Sequence, residues 1–175
     1  MLLAVPAYEL EPLVAGLAAT GAWQAGQLVV HTAAKYGVGV LAPATATGGI
    51  PIALHPAMAF TGTSLDLARL RESWCAVTAP SPVLPIGQAL VVEMGAEPVV
   101  IAEADRPTYA AAIAAATGFS TAIVEQAAGA LAGIGVERPG SLLGGLMRSA
   151  VDNALAGAGA FDGSTDPATL DAEAG

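Results

Sequence analysis

The sequence predicts an α/β domain, helices packed on a parallel sheet, followed by an all-α segment. Two observations carry this. From the first residue to about Glu103, short runs rich in Leu, Val and Ile alternate with longer helix-compatible stretches, the pattern of stacked βα units. Beyond Glu103 the strand signal stops and Ala dominates. The expected division is an α/β domain over 1–104, a helical domain over 105–158 and an acidic tail over 159–175.

The expected strands are Leu2 to Val5, Leu28 to Val30, Pro51 to Leu54, Trp74 to Thr78 and Pro98 to Ile101. Between them, Gly21, Gly48-Gly49 and Gly95 stand where helices should stop, because glycine accepts the left-handed conformation that ends a helix. Ser81-Pro82 reads as an N-cap and first-turn pair, and Asp105 ahead of Pro107 marks another helix start. That second start opens an Ala-rich helix to about Leu131, with a kink at Gly118 and an end at Gly133 to Gly135. A last helix is expected from about Gly140 to Leu155, where Arg148 and Asp152 have the spacing of a surface ion pair. After it come Asp162, Asp166, Asp171 and Glu173 with no basic residue and few large apolar ones, a composition expected to stay disordered.

Composition narrows the function classes. With 15 acidic against 6 basic residues and a net charge of −9, the chain lacks the basic surface that nucleic acid or an anionic membrane requires. Mean hydropathy is high, +0.62, so a membrane span must be weighed. The nearest candidate, Tyr109 to Val136, is mostly Ala and Gly and contains Glu125, whose burial in lipid would cost about 3 kcal/mol. A helix covered by protein explains it better, and no membrane partner is expected. The N-terminal residues lack a basic stretch ahead of a long apolar run, and the single Cys75 allows no internal disulfide, which points to the cytoplasm. No metal site is expected, since no Cys, Asp or Glu cluster accompanies the histidines. Ser64, Ser120 and Ser141 have no histidine nearby in sequence and no nucleophile elbow, so hydrolase chemistry is not supported.

One stretch, Gly37 to Ala42, fits the dinucleotide pattern GxGxxA. In that motif the first glycine directly follows a strand, so that a helix N-terminus meets the pyrophosphate. Here six residues separate the strand end near Val30 from Gly37, and Asp66, the next acid, closes no second strand to hold a ribose. The run therefore reads as a helix start that happens to contain glycines.

Ligands of open parallel sheets sit at the carboxyl ends of the strands. Those ends carry Pro6, His31-Thr32 and His55-Pro56, so both histidines of the chain fall immediately after expected strands. Histidine can pass a proton near neutral pH, as carbonyl reduction requires; equally, each ring could simply bond a loop carbonyl. Lys35, the only lysine, reads as a solvated loop residue.

The strings HTAAKYGVGVLAP (31–43), GGIPIALHPAMAFTG (48–62), AVTA (76–79), LVVEMGAEPVVIAEADRPTYAAA (90–112) and LMRSAVDNALAG (146–157) carry a resemblance. Over roughly residues 1 to 160 the chain resembles bacterial Rossmann-like proteins with a C-terminal helical domain of unassigned function, themselves similar to the 6-phosphogluconate-dehydrogenase-like group. The resemblance implies the C-terminal half of a Rossmann-like parallel sheet domain plus a small helical domain that pairs two subunits into a homodimer. It implies an NADP-dependent oxidoreductase acting on a small molecule such as a 2-keto acid. Pro6, His31 and Thr32 would then line the nicotinamide end of the cofactor. His55 would be catalytic, Thr61 and Gly62 would border the substrate, and Tyr109 and Asn153 would approach it from the helical domain. The chain departs from these proteins at Ala33-Ala34, where they carry a hydroxyl, and at Ala110, Ala115, Gly118 and Phe119, where polar side chains are common. With the first strand expected at Leu2, the first βαβ unit and its glycine loop are expected outside this chain, which would then be an N-terminally truncated relative. The alternative is a non-catalytic dimerisation or ligand-binding module with the same fold.

Overall fold

The computed structural model describes residues 1–158; the acidic stretch 159–175 and its expected disorder lie outside them. The chain packs as two compact units, Met1–Thr117 and a second beginning at Gly118. In the first unit are strands β1 (Leu2–Leu3), β2 (Leu28–His31), β3 (Ile50–Pro56), β4 (Trp74–Thr78) and β5 (Glu97–Val100). They form one five-stranded sheet in the order β1-β2-β3-β4-β5. Each expected strand is present; β1 is shorter than expected because only Leu2 and Leu3 pair, with Val30 and His31.

The expectation of a parallel sheet needs one correction. β1, β2 and β3 run parallel and β4 is parallel to β5, but β3 and β4 pair antiparallel, with His55 opposite Ala76 and Ala53 opposite Thr78. The connection explains the reversal. A parallel crossover must carry the chain back along the whole strand. β3 has 7 residues, about 23 Å, whereas the intervening helix α3 (Leu65–Leu70) has 6 and is only about 9 Å long. The chain re-enters the sheet from the end at which it left.

Side chains of β2 alternate faces, as the two-residue period of a strand requires. Val29 joins Leu3, Leu10, Val14, Trp23, Leu41 and Ala44 in one core, and Val30 joins Ile52, Leu54, Cys75, Val77, Val91 and Ala96 in the other. Helix α1 (Ala7–Ala19) covers the first face through Leu10 and Val14, four apart on one stripe, with α2 (Ala42–Thr45) beside it. Helix α4 (Leu84–Glu93) covers the second through Gly87 and Val91. Gly87 lets it lie close: a Cβ there would stand 2.8 Å from Val77 Cγ1. The start expected at Ser81-Pro82 falls two residues later, after a turn in which Val83 and Leu84 donate to the Pro80 carbonyl. Gly21, Gly48 and Gly95 end their helices at φ of 68, 88 and 85°, as expected.

Helix α5 (Arg106–Gly133) begins in the first unit and ends in the second, which also contains α6 (Pro139–Ala158). α6 runs three residues beyond the Leu155 expected from sequence. Arg148 and Asp152 form no ion pair; the one pair among the described residues is Arg69–Asp66 at 3.8 Å. The segment Glu103–Gly133 is long and apolar enough to cross a membrane by length and composition, with mean hydropathy 1.2, and none of its most apolar window is buried within the chain. The helices leave Phe119 70%, Ile134 78% and Leu146 64% exposed, with Leu143 the buried hydrophobic residue of α6.

Candidate functional site

At the carboxyl ends of β1, β2 and β3 lies a cavity of about 380 Å³, lined by Ala4, Thr32, His55, Pro56, Met58 and Phe60. This is the edge on which the parallel strands were expected to open. Its wall is apolar apart from the Thr32 hydroxyl and the His55 imidazole. Pro6, two residues after Ala4, is the residue before α1, with φ −52° and ψ 144°, and does not line the cavity. A second cavity of about 210 Å³ meets the other side of His55 and is lined also by Met58, Ile113 and Thr117.

His55 is half-buried, and its Nδ1 lies 2.8 Å from the Tyr109 hydroxyl, with the two rings edge to face at 5.5 Å. The structure thus joins two of the expected site residues, 54 positions apart. Burial holds the imidazole below its ordinary pKa, and the nearby Arg106 charge lowers it further, so the ring is neutral at neutral pH. Burial pushes the Tyr109 phenol up, while Arg106 acts against that rise.

Arg106 is a buried charged residue beside His55 and Tyr109 that sequence reasoning missed. It heads α5 and is 0% exposed. Its Nε donates to Thr78 Oγ1 at 2.7 Å, and its Nη2 donates to the carbonyls of Ala53 on β3 and Ala76 on β4, at 3.0 and 3.3 Å. Among the described residues, the buried Nη1 has no partner and no carboxylate pairs with the guanidinium. A buried donor left unsatisfied costs about 1–3 kcal/mol, more when charged, so this arginine is an expensive structural element. A signal was present in the sequence: a cation at a helix N-terminus opposes the helix dipole and is seldom placed there without a purpose.

His31 is 0% exposed and both its ring nitrogens are engaged. The Ala33 amide donates to Nδ1 at 3.2 Å, so Nδ1 is the acceptor and Nε2–H donates to the Gly37 carbonyl at 2.8 Å. Burial lowers its pKa, with the Gly37 carbonyl acting partly against it. The ring folds the 32–37 loop and lines neither cavity beside His55, whereas Thr32 does line the larger one. The loop continues into the Gly37–Ala42 run, which forms a 3-10 turn (Val38–Leu41) and then α2. Its amides do hold an anion, but one from the chain itself. Glu103 accepts from the Val38 and Gly39 amides at 2.7 and 2.9 Å, and a side chain at Gly37 would collide with its carboxylate. The run is therefore not a free phosphate cradle.

Thr61 and Gly62 are exposed and follow Phe60 of the cavity wall. Their polar groups are taken by Asp66, which accepts from the Thr61 amide and hydroxyl and the Gly62 amide, each at 2.8 Å. Burial pushes the Asp66 carboxyl up, but these hydrogen bonds, with one from the Thr63 amide, outweigh it and hold the group below its ordinary pKa. Asn153 is exposed on α6 in the second unit. Among the described residues no group of three or more His, Cys, Asp or Glu is placed to hold a metal ion.

Two family models match the chain: a Rossmann-like domain over residues 1–56 and the domain of unknown function DUF2520 over residues 73–169. No curated protein sequence matches it. Among solved structures it is similar to a protein of Thermotoga maritima, with 18% identity, a TM-score of 0.69, and 87% of this chain and 57% of that one covered. A candidate NADP oxidoreductase of Bacteroides fragilis gives 15% identity and a TM-score of 0.68, with 87% and 56% covered. A pyrroline carboxylate reductase of Plasmodium falciparum, solved with NADP bound, gives 13% and 0.56, with 95% and 60% covered. At these identities the likeness is one of fold, and the chain spans less than two thirds of each protein's length.

Proposed function

The chain belongs to the DUF2520 family, whose model spans more than half of it, and on that premise we propose that its first unit forms the nicotinamide and substrate side of an NADP-dependent oxidoreductase. The observation that carries this reading is the apolar cavity at the carboxyl ends of β1 to β3, walled by a neutral imidazole that is bonded to a phenol. Its volume, about 380 Å³, lies in the range of small-ligand sites. Ala4, Met58 and Phe60 offer apolar walls for a nicotinamide ring, with Thr32 to bond its carboxamide and Pro6 and His31 shaping the two loops behind. When bound, the dihydronicotinamide ring would supply the hydride. The amides of the Gly37–Ala42 run do not fit the pyrophosphate, because Glu103 occupies them, so its grip is proposed to lie outside this run.

The chain's own part is to orient a small carbonyl substrate, such as a 2-keto acid, and to protonate its oxygen from His55. Thr61 and Gly62 shape the loop bordering that substrate while Asp66 holds them, and Tyr109 backs His55. Asn153 would serve from the helical unit. The exposed Phe119, Ile134 and Leu146 support a homodimer formed through that unit, since apolar faces of this size gain most from being covered. A cytoplasmic location is part of the same reading, on the strength of the single, free Cys75.

Titrating the full-length polypeptide of the gene with NADPH is expected to give a saturable change in nicotinamide fluorescence. A flat titration with both NADPH and NADH would favour the non-catalytic module. Sedimentation equilibrium is expected to return twice the monomer mass, and a monomer at micromolar concentration would sink the dimer.

A further inference from the structure

We infer that Arg106 positions the Tyr109 phenol to donate to His55 Nδ1, which leaves the His55 Nε2–H as a proton donor backed by a second proton. The relay rests on the oxidoreductase reading for its substrate, but the arrangement itself stands on geometry. Nδ1 and the phenol oxygen are 2.8 Å apart, and among the described residues Nε2 makes no hydrogen bond. Tyr109 follows Arg106 by one helical turn, and the guanidinium carbon lies 5.8 Å from the phenol ring centre. The guanidinium is clamped to Ala53 and Ala76 on both strands beneath His55 and to the Thr78 hydroxyl, which in turn donates to the Ile101 carbonyl.

The direction of the His55–Tyr109 bond follows from charge. A phenol can donate to Nδ1 or accept from it. Arg106 disfavours positive charge on His55 as well, but it stands against the phenol ring and has no carboxylate partner among the described residues, so it stabilises negative charge developing on the phenol oxygen. On that ground we assign the hydroxyl as donor and the imidazole proton to Nε2. The other charged or titratable groups that act on this set are Glu103, Cys75 and His31. Glu103 is held by the Val38 and Gly39 amides, both His31 ring nitrogens are engaged, and burial pushes the Cys75 thiol up to about 11. When a reduced carbonyl oxygen takes a proton from His55, the Nε2–H bond breaks as the substrate O–H bond forms. The Tyr109 O–H bond breaks as Nδ1–H forms. The imidazole ends neutral, and the phenolate faces Arg106 until solvent returns its proton. Tyr109 and Arg106 thus act through His55 as positioning residues.

The chain contains only two histidines, so nitrogen NMR of the histidine-labelled protein resolves both rings. His31, fixed as the Nε2–H tautomer by Ala33 and Gly37, serves as the internal reference. In the unmodified protein His55 is expected as the same single tautomer. Tyr109→Phe, which removes one oxygen, is expected to give a mixture at His55 and no change at His31. Arg106→Gln, which keeps a donor for the strand carbonyls but not the charge, is expected to do the same, and Arg106→Lys to retain the single tautomer. An Nδ1–H tautomer in the unmodified protein, or an unchanged His55 in Tyr109→Phe or Arg106→Gln, would overturn the inference. Should the Gln variant not fold, a mixed tautomer in Arg106→Lys would do so. The measurement needs neither cofactor nor substrate. A flat NADPH titration beside a fixed tautomer would therefore defeat the oxidoreductase reading alone, and the converse result the relay alone.

Discussion

Replacing His55 by Ala is expected to lower the turnover of the full-length protein by about 10²- to 10⁴-fold, the usual contribution of a positioned proton donor. The loss should fall mainly on kcat. The ring contributes one wall of an otherwise apolar cavity, so the walls proposed for the nicotinamide, Ala4, Met58 and Phe60, remain, while the oxygen developing charge loses its proton source. Steady-state rates at saturating NADPH and a small 2-keto acid would measure it. An unchanged kcat would remove His55 from the chemistry and leave its bond to Tyr109 as a structural cross-link between β3 and α5.

Ile52→Ala is expected to destabilise the fold by about 2–5 kcal/mol, the range for large-to-small changes at closed core positions. Ile52 is 0% exposed on β3, the middle strand, with β2 and β4 paired on either side. The cavity left behind cannot collapse easily, because α4 already lies as close as Gly87 permits, with Ile52 Cγ2 only 3.3 Å from where a Cβ would stand. Urea unfolding with an unchanged m-value would give the difference; a loss below about 1 kcal/mol would show that the core relaxes into the space. The consequence reaches the site, since the next residue, Ala53, accepts from Arg106, and His55 lies two further along the same strand.

The legible part of this molecule was whatever depends on neighbours in sequence. Runs such as Leu28 to Val30 and Trp74 to Thr78 announce strands through their own side chains, and Gly21 and Gly95 announce helix ends through their own backbone freedom. The place of His55 near the carboxyl end of β3, at the edge where ligands gather, was readable in the same way, although the strand runs on through His55 to Pro56. Strand direction was not, because it depends on how far the 57–73 connection can reach, and nothing within β4 records it. Nor was the environment of each polar side chain. Whether His31 faces a ligand or a loop carbonyl, and whether Thr61 is free or held, is decided by Gly37 and Asp66. The burial of Arg106 is decided by carbonyls 30 and 53 residues earlier. The resemblance supplied Tyr109, and only the structure supplied its partner.

The clamp at the head of α5 also works as a ruler. From Ala53, where Arg106 is fastened, β3 advances about 7 Å to reach His55, and from Arg106 the helix advances about 4.5 Å to reach Tyr109, a mismatch that side-chain length can bridge. Each further residue placed between Arg106 and Tyr109 would swing the phenol by about 100° around the helix and off the imidazole altogether. The three-residue interval between these two side chains is thus a measured distance written into the chain, and lineages of this fold should vary freely along the outer surface of the helix while leaving that interval untouched.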